Sequence, residues 1–317
     1  MSNFEQLELL GDGHMARVYR VRHKTTHMEY ALKVQRKSDI VDLKQIEHVR
    51  NEKQILSQLD HPFLIKIHRT YVDKRNIYLL QELCKKEFFT VLRYLGSFDL
   101  HRARIYAAEI VVAFEHMHSQ HIIYRDLKPE NLLFGEDGHI KICDFGFAKV
   151  VTDRTWTTCG TPDYMAPEIV LGVGHGYAAD WWSFGVLLYE MIAGYPPFFA
   201  ANHFDLYQRI CDCEFTFTSP NFDDTTKDLI SKLLVEPRRR LGNLAGGAQD
   251  IKNHPFFQGI EWGKLVQKLI PAPDLEGIAP MASVKPSLPM EELDLIDLNE
   301  DSLIDAYEPI FRDFDMT

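Results

Sequence analysis

The run Tyr124-Arg125-Asp126-Leu127-Lys128-Pro129-Glu130-Asn131, followed by Asp144-Phe145-Gly146 and then Ala166-Pro167-Glu168, sets the frame for the chain. Before it, residues 7–10, 18–21 and 30–34 are short β-rich runs separated by glycine or polar turns, as in an antiparallel meander. Residues 77–80 add a further strand. Between them, residues 41–59 carry a helical period, with Val49, Glu52, Leu56 and Leu59 on one stripe. A carboxylate inside an apolar stripe needs a partner. After the boundary, placed near residues 82–86, helical spacing dominates at 102–118, 179–193, 204–210 and 226–234. The expected fold is α+β, with a small β-rich lobe over 1–82 and a larger helical lobe over 83–266. Residues 267–317, rich in proline and acidic side chains, read as an extended tail.

Composition narrows the function. The 317 residues hold 46 acidic against 35 basic side chains, a net charge of -11, which argues against binding nucleic acid by phosphate neutralisation. Five scattered cysteines, Cys84, Cys143, Cys159, Cys211 and Cys213, show neither zinc spacing nor a disulfide framework. That points to a reducing compartment, the cytosol or nucleus. No charge-free window is long enough to span a bilayer, and Ser2 stands where myristoylation needs glycine, so no membrane anchor is expected.

The segment Gly11-Asp12-Gly13-His14-Met15-Ala16-Arg17-Val18 between two strands lets backbone amides approach phosphate oxygens; its plainer alternative is a simple hairpin. In Tyr30-Ala31-Leu32-Lys33-Val34, strand alternation puts Ala31 and Lys33 on one face. Lys33 and Glu52 answer each other, either as a structural salt bridge or to hold the lysine for a phosphate.

Taken together in this order, the motifs resemble those of the eukaryotic protein kinases from residue 4 to about 260. The resemblance implies a bilobal kinase fold that uses ATP and Mg²⁺. Asp126 would accept or orient the substrate hydroxyl proton, Lys128 would steady the γ-phosphate, Lys33 with Glu52 would grip the α- and β-phosphates, and Asn131 with Asp144 would hold the metal. Gly11, Asp12, Gly13, His14, Met15, Ala16, Val18, Ala31, Gln81, Glu82, Cys84 and Cys143 would line the nucleotide. Ala16 departs from the pattern where a third glycine is usual, as does Gln81 at the gatekeeper position.

Asp144-Phe145-Gly146-Phe147-Ala148-Lys149, Arg154-Thr155-Trp156-Thr157 with Cys159-Gly160-Thr161-Pro162, and Gly194-Tyr195-Pro196-Pro197-Phe198-Phe199 are similar to the AGC group, most closely its cAMP-dependent catalytic subunits. That resemblance implies a serine/threonine kinase acting on arginine-containing sites. Glu87, Glu130, Asp163 and Glu190 would receive basic residues, and Pro162 and Met165 an apolar one. Thr157 would be an activating phosphosite held by His48, Arg125 and Lys149, and Ser302 a tail phosphosite. Trp156 and Tyr207 match positions that dock a cyclic-nucleotide-binding regulatory subunit. A cyclic-GMP-dependent-type kinase domain and a catalytically silent kinase-fold scaffold are the alternatives.

Overall fold

The computed structural model describes residues 3–13, 16–275, 307 and 309–314. His14, Met15 and Ser302 lie outside the described residues. The described residues divide into two compact units: those up to 59 with Ile65–Lys85 and the tail residues 307 and 309–314 form the first, and Asp60–Leu64 with residues 86–275 the second. The chain therefore changes unit at 59/60, 64/65 and 85/86, where the sequence reading placed a single lobe boundary near residues 82–86. Described residues 267–275 belong with the second unit, and 307 and 309–314 with the first.

In the first unit, β1 (Phe4–Asp12), β2 (Arg17–His23) and β3 (Glu29–Arg36) form the expected meander. After α1 (Lys37–Asp42) and α2 (Ile46–Gln58), β4 (Ile67–Val72) and β5 (Asn76–Glu82) complete an antiparallel sheet of order β1-β2-β3-β5-β4. Alternation sends Leu32 and Val34 to one face, where they pack with Leu9, Tyr19, Val21, Tyr78 and Leu80. The helix expected over 41–59 is interrupted: Lys44 takes a left-handed φ of 57°, and Gln45 donates its amide to Ile40, ending one helix before the next begins. In the same unit Phe311 and Phe314 are buried, Thr70 Oγ1 donates to the Phe314 carbonyl at 2.6 Å, and Lys37 and Lys53 lie over the two rings.

The second unit runs β6 (Lys86–Glu87), α3 (Phe88–Leu95), α4 (Leu100–Ser119), β7 (Ile122–Ile123), β8 (Leu132–Phe134), β9 (Ile140–Ile142), β10 (Lys149–Val150), α5 (Pro167–Val170) and α6 (Ala178–Ala193). It continues through α7 (His203–Cys211), α8 (Asp224–Leu233), α9 (Ala248–Lys252) and α10 (Trp262–Val266). Every residue of α6 from Ala178 to Ile192 is buried, which makes it the core helix of the unit. Its Gly185 permits the approach of α8, because a Cβ there would stand 2.8 Å from Leu233 Cβ. None of the five cysteines forms a disulfide. Among the described residues no helix is long and apolar enough to cross a membrane.

Candidate active site

Candidate groups occur in both units. In the first, Val18 pairs with Lys33 and Ala31 with Gln81 across β2, β3 and β5, so these four share the sheet face opposite the Leu32 cluster. Lys33 Nζ bonds Glu52 Oε1 at 2.7 Å and Oε2 at 2.9 Å, and Glu52 is only 2% exposed. The β1–β2 turn is closed by Gly13 N donating to Ala16 O at 3.0 Å and by Arg17 on Asp12 at 3.0 Å. A Cβ at Gly11 would meet nothing within 4 Å, so the backbone there faces open space. Glu82 accepts the Lys66 amide, Cys84 is buried, and His48 is half-buried on α2.

In the second unit, Asp180 near the start of α6 organises the motif loop. Its Oδ2 accepts the Tyr124 amide at 3.0 Å and the His118 ring nitrogen at 2.8 Å, while Oδ1 accepts the Arg125 amide at 2.8 Å. The loop thus projects Asp126, itself 3% exposed. Asn131 Nδ2 donates to Asp126 Oδ2 at 2.7 Å and to its carbonyl at 2.8 Å, and Lys128 Nζ lies 3.0 Å from Oδ2. Burial raises the Asp126 carboxyl above the ordinary aspartate range, against the pull of Lys128 and Asn131.

The Asn131 carbonyl accepts both the Cys143 amide, at 2.9 Å, and its thiol, at 3.2 Å. That fixes the neighbouring Asp144, exposed and left-handed at φ 55°. Because Asn131 Nδ2 is committed to Asp126, its amide oxygen is the acceptor end, and that oxygen and the exposed Asp144 carboxylate are each of the hard-oxygen type that could hold Mg²⁺. Tyr124 and Phe145 meet edge to face at 5.3 Å.

Thr161 had no assigned role in the sequence, yet it accepts from Lys128 Nζ at 2.9 Å and reaches Asp126 Oδ1 at 3.5 Å. Sequence separation hid it.

Around the second motif, Thr157 and Trp156 are exposed, with the indole against Gly174. Thr155 is buried, pairs its backbone with His175, and accepts from Lys149 Nζ at 3.2 Å. Arg125 donates Nε to the Phe147 carbonyl at 2.7 Å, while its buried Nη1 has no hydrogen-bond partner among the described residues. Tyr207 is half-buried and stacks on His203.

Of the carboxylates read as receiving basic residues, Glu130 is exposed, Asp163 half-buried, and Glu87 accepts from Thr90 Oγ1. Pro162 and Met165 are half-buried. Glu190 is 2% exposed, held by Arg93 at 2.5 Å and by the Tyr164 hydroxyl. A carboxylate buried in a core helix demands such partners, although nothing local in the sequence names Arg93 as the one.

This arrangement, a buried aspartate held by lysine, asparagine and threonine beside an exposed second aspartate, accords with what family comparison finds. Residues 4–257 match the protein kinase domain family, and the chain belongs to it. It is 47% identical over 299 residues to the cAMP-dependent protein kinase catalytic subunit PRKX of Mus musculus, covering 93% of this chain and 84% of that protein. It is 44% identical over 317 residues to the cAMP-dependent protein kinase catalytic subunit of Dictyostelium discoideum, covering 99% of this chain and 49% of that one. With cAMP-dependent protein kinase type 3 of Saccharomyces cerevisiae it shares 45% over 275 residues, 86% and 69% of the two chains. The chain is a serine/threonine protein kinase of the AGC group that resembles these catalytic subunits.

Proposed function

We propose that this kinase transfers the γ-phosphate of Mg-ATP to serine or threonine hydroxyls in arginine-containing segments. The observation that carries the reading is the Asp126 network: the carboxylate is buried, aimed by Asn131, and bridged through Lys128 to Thr161. Phosphoryl transfer asks a protein for positioning and charge neutralisation rather than covalent chemistry, and bound Mg²⁺ supplies Lewis-acid stabilisation of phosphate oxygens.

Here Asp126 orients the acceptor hydroxyl and takes its proton at a carboxylate oxygen. Lys128 neutralises charge as it develops, and Thr161 limits where that lysine points. Asn131 and Asp144 are the residues that would hold the metal, while Lys33, kept straight by Glu52, and the amides near Gly11 and Gly13 would hold the nucleotide phosphates. Val18, Ala31, Gln81, Glu82, Cys84 and Cys143 would border the nucleotide.

Phosphorylation of Thr157 supplies a dianion for the unsatisfied Arg125 Nη1 and for Lys149, with His48 as a further ligand. Glu87, Glu130 and Asp163 receive substrate arginines, Glu190 does so only while keeping Arg93, and Pro162 with Met165 takes the residue after the acceptor. The names of the relatives support a cyclic-nucleotide-binding regulatory subunit as partner, meeting Trp156 and Tyr207.

The test is phosphorylation of an arginine-rich serine peptide with Mg-ATP by wild type and Asp126→Asn. The expected loss is about 10³-fold with no fall in melting temperature, since the substitution removes a charge that burial disfavours. Equal rates would refute the assignment.

A further inference from the structure

Five hydroxyls in the chain have an arginine among the three residues before them: Thr25, Ser38, Thr70, Thr155 and Thr157. In the reading given above, Pro162 and Met165 take the residue after the acceptor, which leaves Glu87, Glu130 and Asp163 for the side chains that precede it. Three of the five hydroxyls are withdrawn from an incoming active site. Thr70 is buried and donates to the Phe314 carbonyl, Thr155 is buried against Lys149, and Ser38 is half-buried inside α1 with its Oγ on Asp39. Thr157 is exposed and already has a role. Thr25 remains, in the loop between β2 and β3, where residues 24–28 are all exposed. Three backbone bonds hold that loop: Lys24 N to Asn3 O, His27 N to His23 O, and His23 N to Met28 O. Its neighbour Thr26 is engaged, with Oγ1 3.0 Å and amide 3.2 Å from His23 Nδ1, while the Thr25 hydroxyl has no partner among the described residues. Arg22, three positions before Thr25, shares Glu29 with Arg20, at 2.9 and 2.6 Å, and its side chain is 39% exposed. Ion pairs this open to water are weak, so Arg22 exchanges one carboxylate for another at little cost.

We propose that Thr25 is a self-modification site: one copy of this kinase phosphorylates the β2–β3 loop of another, reading Arg22 and Lys24 through its acidic residues. The inference rests on the arginine-directed reading of the active site given above and names a substrate for it. In the transfer, Thr25 Oγ1 bonds the γ-phosphorus of ATP and the bond from that phosphorus to the β,γ-bridging oxygen breaks. The electron pair leaves with ADP, and the hydroxyl proton passes to the Asp126 carboxylate. The donor is a second copy because Thr25 lies beyond the Glu29 end of β3, and from Glu29 to Lys33, which would grip the nucleotide phosphates, the strand rises about 13 Å. Pairing with β2 and β5 fixes that strand, so the hydroxyl does not reach a phosphate held in its own chain. The product carries a dianion beside Lys24 that competes with Glu5 and Glu29 for Arg22. Neither Thr25 nor the basic residues before it belong to the proposed catalytic or nucleotide-binding set.

The experiment mixes the unlabelled wild-type chain with a ¹⁵N-labelled Asp126→Asn chain, Mg-ATP and the arginine-rich serine peptide, and follows each phosphate by mass spectrometry. The labelled chain cannot modify itself, so phosphate on its Thr25 reports transfer between copies. The expected result is phosphate on Thr25 of the labelled chain, slowed about tenfold or more when that chain also carries Arg22→Gln/Lys24→Gln, with the peptide modified equally in both mixtures. Thr25→Ala in the wild-type copy should leave its rate on the peptide unchanged. If the peptide is phosphorylated and Thr25 of the labelled chain is not, the self-modification is wrong and the substrate class stands. If the peptide too stays unmodified, the substrate class is wrong and the inference falls with it. Phosphate on Thr25 of the wild-type copy alone would overturn transfer between copies, and equal rates with and without Arg22→Gln/Lys24→Gln would overturn recognition of the basic run. Arg22 and Lys24 face solvent at the loop, and circular dichroism of the variant acceptor confirms that it is folded before rates are compared.

Discussion

Each unit of the molecule has a glutamate tied to a cation by two hydrogen bonds, and the two pairs serve different ends. In the second unit, Arg240 is fully buried, bidentate on Glu168 at 2.6 and 3.0 Å, bonded to the carbonyls of Ala178 and Val235, and stacked over Trp182. The fork of donors is spent on the protein itself, which is the arrangement that makes a buried charge tolerable. In the first unit, Lys33 sits on Glu52 with its side chain still 16% exposed, a point charge on a flexible stem. One pair locks a core; the other keeps a charge within reach of a ligand.

Substitutions can break that contrast. The largest effect is expected from Lys33→Met: phosphotransfer per folded molecule should fall about 10²–10³-fold, measured with active fractions normalised by circular dichroism. Arg240→Ala should instead lower unfolding free energy by about 3–5 kcal/mol in urea titrations, because it strands Glu168 in the core, while activity per folded molecule stays near wild type. Should both variants lose activity only as fast as they unfold, the two pairs are the same kind of device.

The smallest effect concerns a group that avoids charge altogether. His61 stacks on His116 with centroids 5.0 Å apart, and burial, helped by His116, Lys141 and Lys268, pushes it down to about 4. An unfolded histidine titrates near 6.5, so the neutral ring's contribution is complete above that value and is lost as pH falls towards 4. Between pH 7 and pH 5, wild type should lose about 2 kcal/mol more stability than His61→Phe, read from paired denaturant curves. Identical losses would place the acid sensitivity elsewhere.

What the sequence shows depends on how far apart the partners lie. The first three strands and the helices at 102–118 and 179–193 were readable because period and turn residues are local signals. The helix over 88–95 was not, since Phe88-Phe89-Thr90-Val91-Leu92 is too short and apolar to separate helix from strand. Strand β4 was masked by the exposed His68 and Arg69. In the candidate site, Asp126, Lys128 and Asn131 sit within one contiguous loop and were read together, as were Lys33 and Glu52 through the cost of burying either alone. Thr161 and Arg93 reach their partners only through the fold, and the break at Lys44 reflects a backbone turn that lysine does not advertise.

The short passage Asp60–Leu64 packs with the second unit although the chain on either side of it belongs to the first. Phe63 and Leu64 are almost wholly covered there, and Phe63 O bonds the Ile142 amide at 2.9 Å. A fragment cut after Lys85 would carry those two side chains away from their shelter, and one begun at Lys86 would lack them. Neither half of this protein can be obtained intact with a single pair of scissors.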